Sequence, residues 1–327
     1  MNRIKRGKLL SVLGALGLVL VLSGCSPQFL VLHPQGPVAS EELHLIYLSA
    51  ILCLIVIVPV LILLGVFVVR YRDKEGNKAP YKPEWSESKV LEFIWWGVPI
   101  IIIGILGTAT ARGTFKLTKP PENNVKPITV QVISLDWKWL FQYPGQGVAT
   151  VNKAVIPTGV PIQFQLTSDA PMNSFWVPQL GGQEFTMPGM AMRLWLQADN
   201  PGNYYGHGAN FTGRGFAFMN FTVKAESLSQ FDSWVKKVKS TSPALTMGGW
   251  DKLKKPGITN VAYYSSFPKN LFNNTIWADG GRYMSGMLGS GSMKMSSPGT
   301  VNNVSSGSAE MLPKTSGSSK KGVTTKS

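Results

Sequence analysis

The sequence predicts an α+β membrane protein: a two-helix transmembrane hairpin, an all-β domain, one amphipathic helix and a disordered tail. Three observations predict it. Two long apolar runs, Leu43–Val69 and Phe93–Thr110, dominate the first third of the chain. From Ile128 to Ala225, short segments of period two are punctuated by Gly, Pro, Asn and Asp. From Tyr283 to Ser327, Ser, Gly, Lys and Thr prevail and large apolar residues are scarce.

The chain has 327 residues, enough for two or three structural units. A mean hydropathy of +0.07 conceals the segregation of its parts. The formal net charge is +15. In a soluble protein that balance points to nucleic acid. Here much of it lies beside apolar runs or in the tail, and no basic stripe with interleaved aromatics occurs. The charge therefore reads as membrane topology, and no nucleic-acid partner is expected. The two cysteines, Cys25 and Cys53, both precede the β-rich part. That part can form neither an internal disulfide nor a thiolate metal site.

Taken in order, residues 1–24 read as a signal peptide: Arg3, Lys5, Arg6 and Lys8, then an apolar run from Leu9 to Leu22. The ending Leu22-Ser23-Gly24-Cys25 resembles the bacterial lipoprotein box, whose cysteine is lipidated and becomes the mature N-terminus. The alternative is an uncleaved anchor with a chance cysteine.

Leu43–Val69 is long enough to cross a hydrocarbon core of about 30 Å with some tilt. It contains Pro59, a possible kink, and Cys53, an inert packing residue. Arg70, Arg72, Lys74, Lys78, Lys82 and Lys89 follow, which marks the loop as cytoplasmic. Phe93–Thr110 is the second span, with Trp95-Trp96 as an interfacial belt and Arg112 at its end. Residues 25–112 thus form an N-terminal segment and hairpin with both ends outside. Residues 113–127 read as a Pro- and Lys-rich connector that lifts the next domain off the membrane.

Strand candidates in 128–225 are Ile128–Ile133, Trp137–Tyr143, Ala154–Ile156, Ile162–Thr167, Asn173–Val177, Met192–Ala198 and Phe216–Val223. Their number and spacing predict a β-sandwich or barrel. Residues 226–282 begin with an amphipathic helix at Ser227–Val238, with Leu228, Phe231, Trp234, Val235 and Val238 on one stripe. Ser227 and Gln230 fit a capping box. The stripe packs on the barrel or a partner subunit; the alternative is a membrane surface, with Lys236, Lys237 and Lys239 facing lipid. Thr241 to Arg282 shows little periodicity and reads as a partly ordered extension along a partner. In the tail, Met284, Met287, Met293 and Met295 are set in low-complexity sequence; weak Cu(I) binding is the functional alternative.

The segment Met172–Met219 carries a resemblance. It opens with Asn173-Ser174-Phe175-Trp176-Val177-Pro178 and closes with Tyr204-Tyr205-Gly206-His207-Gly208-Ala209-Asn210-Phe211-Thr212, then Phe216 and Met219. This frame resembles the copper-binding segment of subunit II of the haem–copper terminal oxidases. In the branch that oxidises cytochrome c, the opening piece reads His-Ser-Trp-x-Val-Pro, and the loop carries two Cys, a Glu, a second His and a Met. Here the first His falls on Asn173, the Cys positions on Gly208 and Thr212, the Glu on Asn210 and the second His on Phe216; only Met219 is kept. A two-copper centre needs bridging thiolates, which Gly208 and Thr212 cannot supply. His207 is one position too early to replace a ligand and reads as a surface or turn residue.

The pattern resembles subunit II of the bacterial cytochrome bo-type ubiquinol oxidases. That resemblance implies a cupredoxin-like Greek-key barrel without copper in this chain, and no catalytic residue in it. It implies haem and copper in a partner subunit I, further oxidase subunits, ubiquinol reached through the complex, and membrane lipid. It places the chain in the bacterial inner membrane with its soluble domain in the periplasm. Trp137-Lys138-Trp139 resembles the cluster through which cytochrome c delivers electrons in copper-bearing relatives. Without copper beneath it, packing at the barrel rim is the expectation, and no cytochrome c partner is implied. From Gly113 to Ala225 basic side chains outnumber acidic ones eight to five, so no acidic docking excess appears. Leu91-Glu92-Phe93-Ile94-Trp95 resembles the place where such subunits offer a carboxylate near the mouth of a proton channel. A first-turn Glu that complements the helix dipole is the alternative. A copper chaperone or scaffold outside an oxidase, membrane-anchored and cupredoxin-like, is the rival reading.

Overall fold

The computed structural model describes residues 29–80, 83–121 and 125–278. The leader at 1–24, Cys25, Lys82 and the tail with its four methionines lie outside them.

A 3-10 turn at Leu30–Leu32 leads into α1 (Pro37–Arg70), and α2 (Lys89–Leu117) packs beside it. Pro37 takes the first helical position, where its missing N–H removes no helical bond. Both expected spans are present, each longer than its apolar run. They continue through Pro59 and Pro99. Ile51, Leu61, Ile62, Phe93 and Ile103 stay exposed, which leaves apolar faces for lipid or partner helices. Near the β-domain, Gly113 lets the helices close in: a Cβ there would lie 2.9 Å from Leu45 Cδ1. The Lys116 ammonium meets the Glu41 carboxylate at 2.7 Å across the same gap.

The expected connector is shorter than 113–127, because residues 113–117 are still helical. The β-domain is also not lifted off the hairpin. Val38, in the first turn of α1, is buried in the β-domain core. Gln35 donates its N–H to Gln179 O at 2.8 Å and accepts from Asp199 N–H at 2.9 Å. The Glu42 carboxylate accepts from Gly182 N–H at 2.9 Å. A side chain on Gly36 would run into the Gln197 carbonyl, so glycine is what allows this approach.

The β-domain contains β1 (Ile128–Leu135), β2 (Lys138–Tyr143), β3 (Val148–Val151), β4 (Lys153–Pro157), β5 (Ile162–Ser168), β6 (Asn173–Trp176), β7 (Glu184–Thr186), β8 (Met192–Leu196), β9 (Gly202–Gly208), β10 (Asn220–Glu226) and β11 (Ala262–Tyr264). One sheet runs β11-β3-β2-β1-β5-β8 and the other β4-β10-β9-β6-β7. β1 pairs parallel to β5, and β4 parallel to β10. The chain passes between sheets after β3, β4, β5, β7, β8 and β10. This is the cupredoxin-like β-sandwich that the resemblance implies. Between the sheets, Phe175 stacks on Phe221 at 4.8 Å, and Trp139 meets both edge-on at 5.5 Å.

Two strand boundaries differ markedly from expectation. Trp137 sits at φ 62° in the β1–β2 turn, not in a strand. Phe216–Phe218 is a 3-10 turn: Phe216 N–H reaches Gly213 O at 3.1 Å, and the strand starts only at Asn220. The short strands β3, β7 and β11, and the seven-residue β9, fall outside the seven candidates. β9 is rich in Gly and polar residues, so its period was hidden.

The helix expected at Ser227–Val238 is α3 (Leu228–Thr241), with both arms of the capping box formed by Ser227 and Gln230. Phe231, Trp234, Val235 and Val238 of its stripe pack on the sandwich, Trp234 meeting Tyr143 edge-on at 5.5 Å, whereas Leu228 at its start is exposed. The following segment is a correction. It is not a loose extension but contains α4 (Met247–Lys254), β11 and α5 (Leu271–Ala278). Along β1 and β2, Val130, Val132, Trp139 and Phe141 fill the core between the sheets. Alternation turns Ile133, Leu135 and Leu140 the other way, yet they are fully buried. The C-terminal segment covers that outer face: α5 packs on β1 and β5, and β11 extends the sheet beside β3.

Candidate functional site

The start of β6 and the end of β9 bring Asn173 and Gly208 to one corner of the sandwich, where Phe175 pairs with Gly208. The loop after β9 returns through the 3-10 turn to Met219, which is buried. Asn173 is fully buried and its amide nitrogen donates to the Met219 sulfur at 2.8 Å. Its carbonyl oxygen accepts from Ser174 N–H at 2.7 Å and from Asn210 N–H at 3.4 Å. Gly208 N–H and Trp139 Nε1–H both donate to Met219 O, at 3.2 and 3.3 Å. A Cβ on Gly208 would lie 2.8 Å from the Asn173 amide nitrogen.

The remaining positions are held by the loop. Trp137 closes over it: the indole N–H donates to Thr212 O at 3.1 Å, and the Arg214 guanidinium lies 5.8 Å above the ring. Any side chain on Gly215 would run into that ring. The Thr212 hydroxyl is buried without a hydrogen-bond partner. Phe216 packs edge-on against Phe211 at 5.7 Å.

A two-copper centre does not fit these residues. The corner offers one thioether, which already accepts a hydrogen bond, an amide, a hydroxyl and a phenyl ring. None is the soft anionic bridge that such a centre requires. Among the described residues, no three His, Cys, Asp or Glu side chains gather elsewhere.

His207 is not a turn residue but lies in β9, half-buried. It faces away from Asn173: Gly206 and Gly208 alternate inward, and His207 stacks on Tyr205 at 5.2 Å with Trp176 tilted against it at 5.1 Å. Desolvation holds the imidazole below its ordinary value.

Trp137-Lys138-Trp139 does not form one rim cluster. Trp139 is in the core and Trp137 on the loop. Lys138 is 2% exposed, and its ammonium donates to Leu253 O at 2.9 Å and Lys255 O at 2.7 Å, at the end of α4. Burial lowers its pKa, against the attraction of Asp136. Sequence reasoning missed this anchor, because its partners are backbone carbonyls more than a hundred residues away.

Glu92 is exposed in the first turn of α2 and forms no ion pair among the described residues. Ser88 caps the same turn, its hydroxyl accepting from Leu91 N–H at 3.5 Å. The structure keeps Glu92 apart from the Asn173 corner, at the opposite end of a span of 29 residues.

The chain is similar in sequence to known proteins. The family described as cytochrome c oxidase subunit II, periplasmic domain, matches residues 146–226. Quinol oxidase subunit 2 of Bacillus cereus is 46% identical over 261 residues, 79% of this chain and 89% of that protein. Cytochrome bo(3) ubiquinol oxidase subunit 2 of Pseudomonas putida is 42% identical over 275 residues, 83% of this chain and 86% of that protein. The crystal structure of the periplasmic domain of cytochrome oxidase subunit II from Bradyrhizobium japonicum is 24% identical, covers 37% of this chain and 96% of that one, and has a TM-score of 0.34. With the hairpin, the cupredoxin-like sandwich and relatives of this identity matched over most of their length, the chain belongs to the quinol oxidase subunit 2 family.

Proposed function

We propose that this chain is the non-redox subunit II of a proton-pumping oxidase that takes electrons from ubiquinol and reduces oxygen to water. The observation that carries the reading is the Asn173–Met219 contact, which fills a copper corner inside an otherwise complete cupredoxin frame. An electron-entry site has become a packed, hydrogen-bonded corner. The relatives named for quinol and ubiquinol oxidation support the same electron donor.

On this reading the haems and copper belong to subunit I. The exposed apolar faces of α1 and α2 brace that subunit, and the sandwich covers its periplasmic side. The burial of Trp139 and Lys138 supports the absence of a cytochrome c partner, since neither is left on a docking surface. The complex sits in the bacterial inner membrane, with Cys25 as a lipid anchor. Glu92 offers a carboxylate at the cytoplasmic end of α2 to a proton path in subunit I. The same position also complements the helix dipole.

The test is to isolate the complex and compare oxygen uptake with ubiquinol and with reduced cytochrome c. Uptake with ubiquinol alone is the expected result. Uptake with reduced cytochrome c rejects the reading. Isolation without a haem-bearing partner also rejects it, and leaves the copper chaperone or scaffold.

A further inference from the structure

A cavity of about 930 Å³ opens where the hairpin meets the β-domain. Phe115 and Leu117 of α2 give it an apolar side; Ser40, Glu41, Lys116 and Lys119 give it a polar rim. It lies just beyond Leu43 and Thr110, where both apolar runs end. Its depth therefore matches the boundary between hydrocarbon and headgroups. Lys116 is neutralised by Glu41 at 2.7 Å, whereas Lys119 forms no ion pair among the described residues. Among the described residues the rim thus carries one net positive charge over an apolar floor.

That combination selects an amphiphile with one negative charge. A free inorganic anion would leave the apolar side uncovered, and a zwitterionic lipid would leave the Lys119 charge uncompensated. The volume lies within the range of about 300–1,000 Å³ typical of small-molecule sites. We propose that the cavity holds the headgroup and glycerol of one anionic phospholipid of the outer leaflet, with its phosphodiester on Lys119 and Lys116. The proposal rests on the membrane-spanning reading of α1 and α2, and is independent of the electron donor.

The test uses the whole complex as extracted from membranes. It is placed in nanodiscs of phosphatidylcholine with a minor share of phosphatidylglycerol, and bound lipid is counted by native mass spectrometry. Selective retention of one phosphatidylglycerol is expected. Lys116→Gln and Lys119→Gln should each lower it about fivefold, the equivalent of the roughly 1 kcal/mol that a lysine near a lipid surface contributes. Lys119→Arg should keep it. Unfolding temperature and subunit content are measured on the same samples. Unchanged retention in the double glutamine variant overturns the proposal, as does equal retention of phosphatidylcholine. Release by inorganic phosphate would reassign the cavity as an anion site, and loss of a subunit together with the lipid would reassign it as a protein contact. Ubiquinol-driven oxygen uptake, recorded in parallel, separates failure of this proposal from failure of the oxidase reading.

Discussion

The side-chain amide of Asn173 donates a hydrogen bond to the sulfur of Met219 at 2.8 Å, in a corner sealed from water. The amide ties β6 to the returning loop. Its oxygen holds two further N–H groups, those of Ser174 and Asn210. Asn173→Ala therefore leaves a void and two N–H donors, that of Ser174 buried and that of Asn210 partly buried, short of a partner. A loss of about 1–3 kcal/mol is expected, read as a lowered unfolding temperature. Asn173→His by itself should create no copper site, because no thiolate stands nearby; metal analysis of that variant should match the wild type.

Gly36 joins the hairpin to the sandwich. Gly36→Ala places a methyl group against the Gln197 carbonyl, and backbone cannot yield as a flexible side chain does. The bonds from Gln35 to Gln179 and Asp199 must stretch to relieve it. A cost of about 1–3 kcal/mol is expected. Limited proteolysis of the purified protein should show faster cleavage near Gln35. An unchanged rate would mean that the junction adapts without opening.

Much of this arrangement was legible in the sequence. The two spans announce themselves by length, and the capping box at Ser227–Gln230 by spacing. The meeting of Asn173, Gly208 and Met219 at one corner was legible through the resemblance of their frame. What the sequence hid has a common physical cause. Lys138, Gly36 and Ile133 owe their burial to segments distant in the chain, and local periodicity carries no record of a distant partner. The extension after Thr241 looked loose because it packs by two short helices and a three-residue strand, each below the length at which a pattern can be read.

His207 gives a pH dependence with a definite sign. Burial between Trp176 and Tyr205 holds its folded pKa below the unfolded value of about 6.5. In the window below 6.5 the unfolded chain binds a proton that the folded chain resists. Stability contributed by neutral His207 is complete above that window and falls as the pH drops through it. The unfolding temperature of the wild type should thus fall more steeply between about pH 7 and pH 5 than that of His207→Gln. Parallel curves for the two proteins would remove His207 as the source.

Gly215 and Trp137 give the sharpest test of the loop. The indole ring lies directly against the Gly215 backbone and fixes the loop through Thr212 O at 3.1 Å. Gly215→Val should push the ring away, break that bond and expose Thr212. A destabilisation of about 1–3 kcal/mol is expected, with a rise in the solvent accessibility of the tryptophan. Trp137→Ala removes the obstacle, so adding Gly215→Val to it should cost less than Gly215→Val alone. The double-mutant cycle measures that relief directly, and the coupling should exceed about 0.5 kcal/mol. Additive costs would mean that ring and loop do not depend on each other. Ubiquinol turnover should change little in either variant so long as the complex assembles, because on the proposed function no electron passes through this corner.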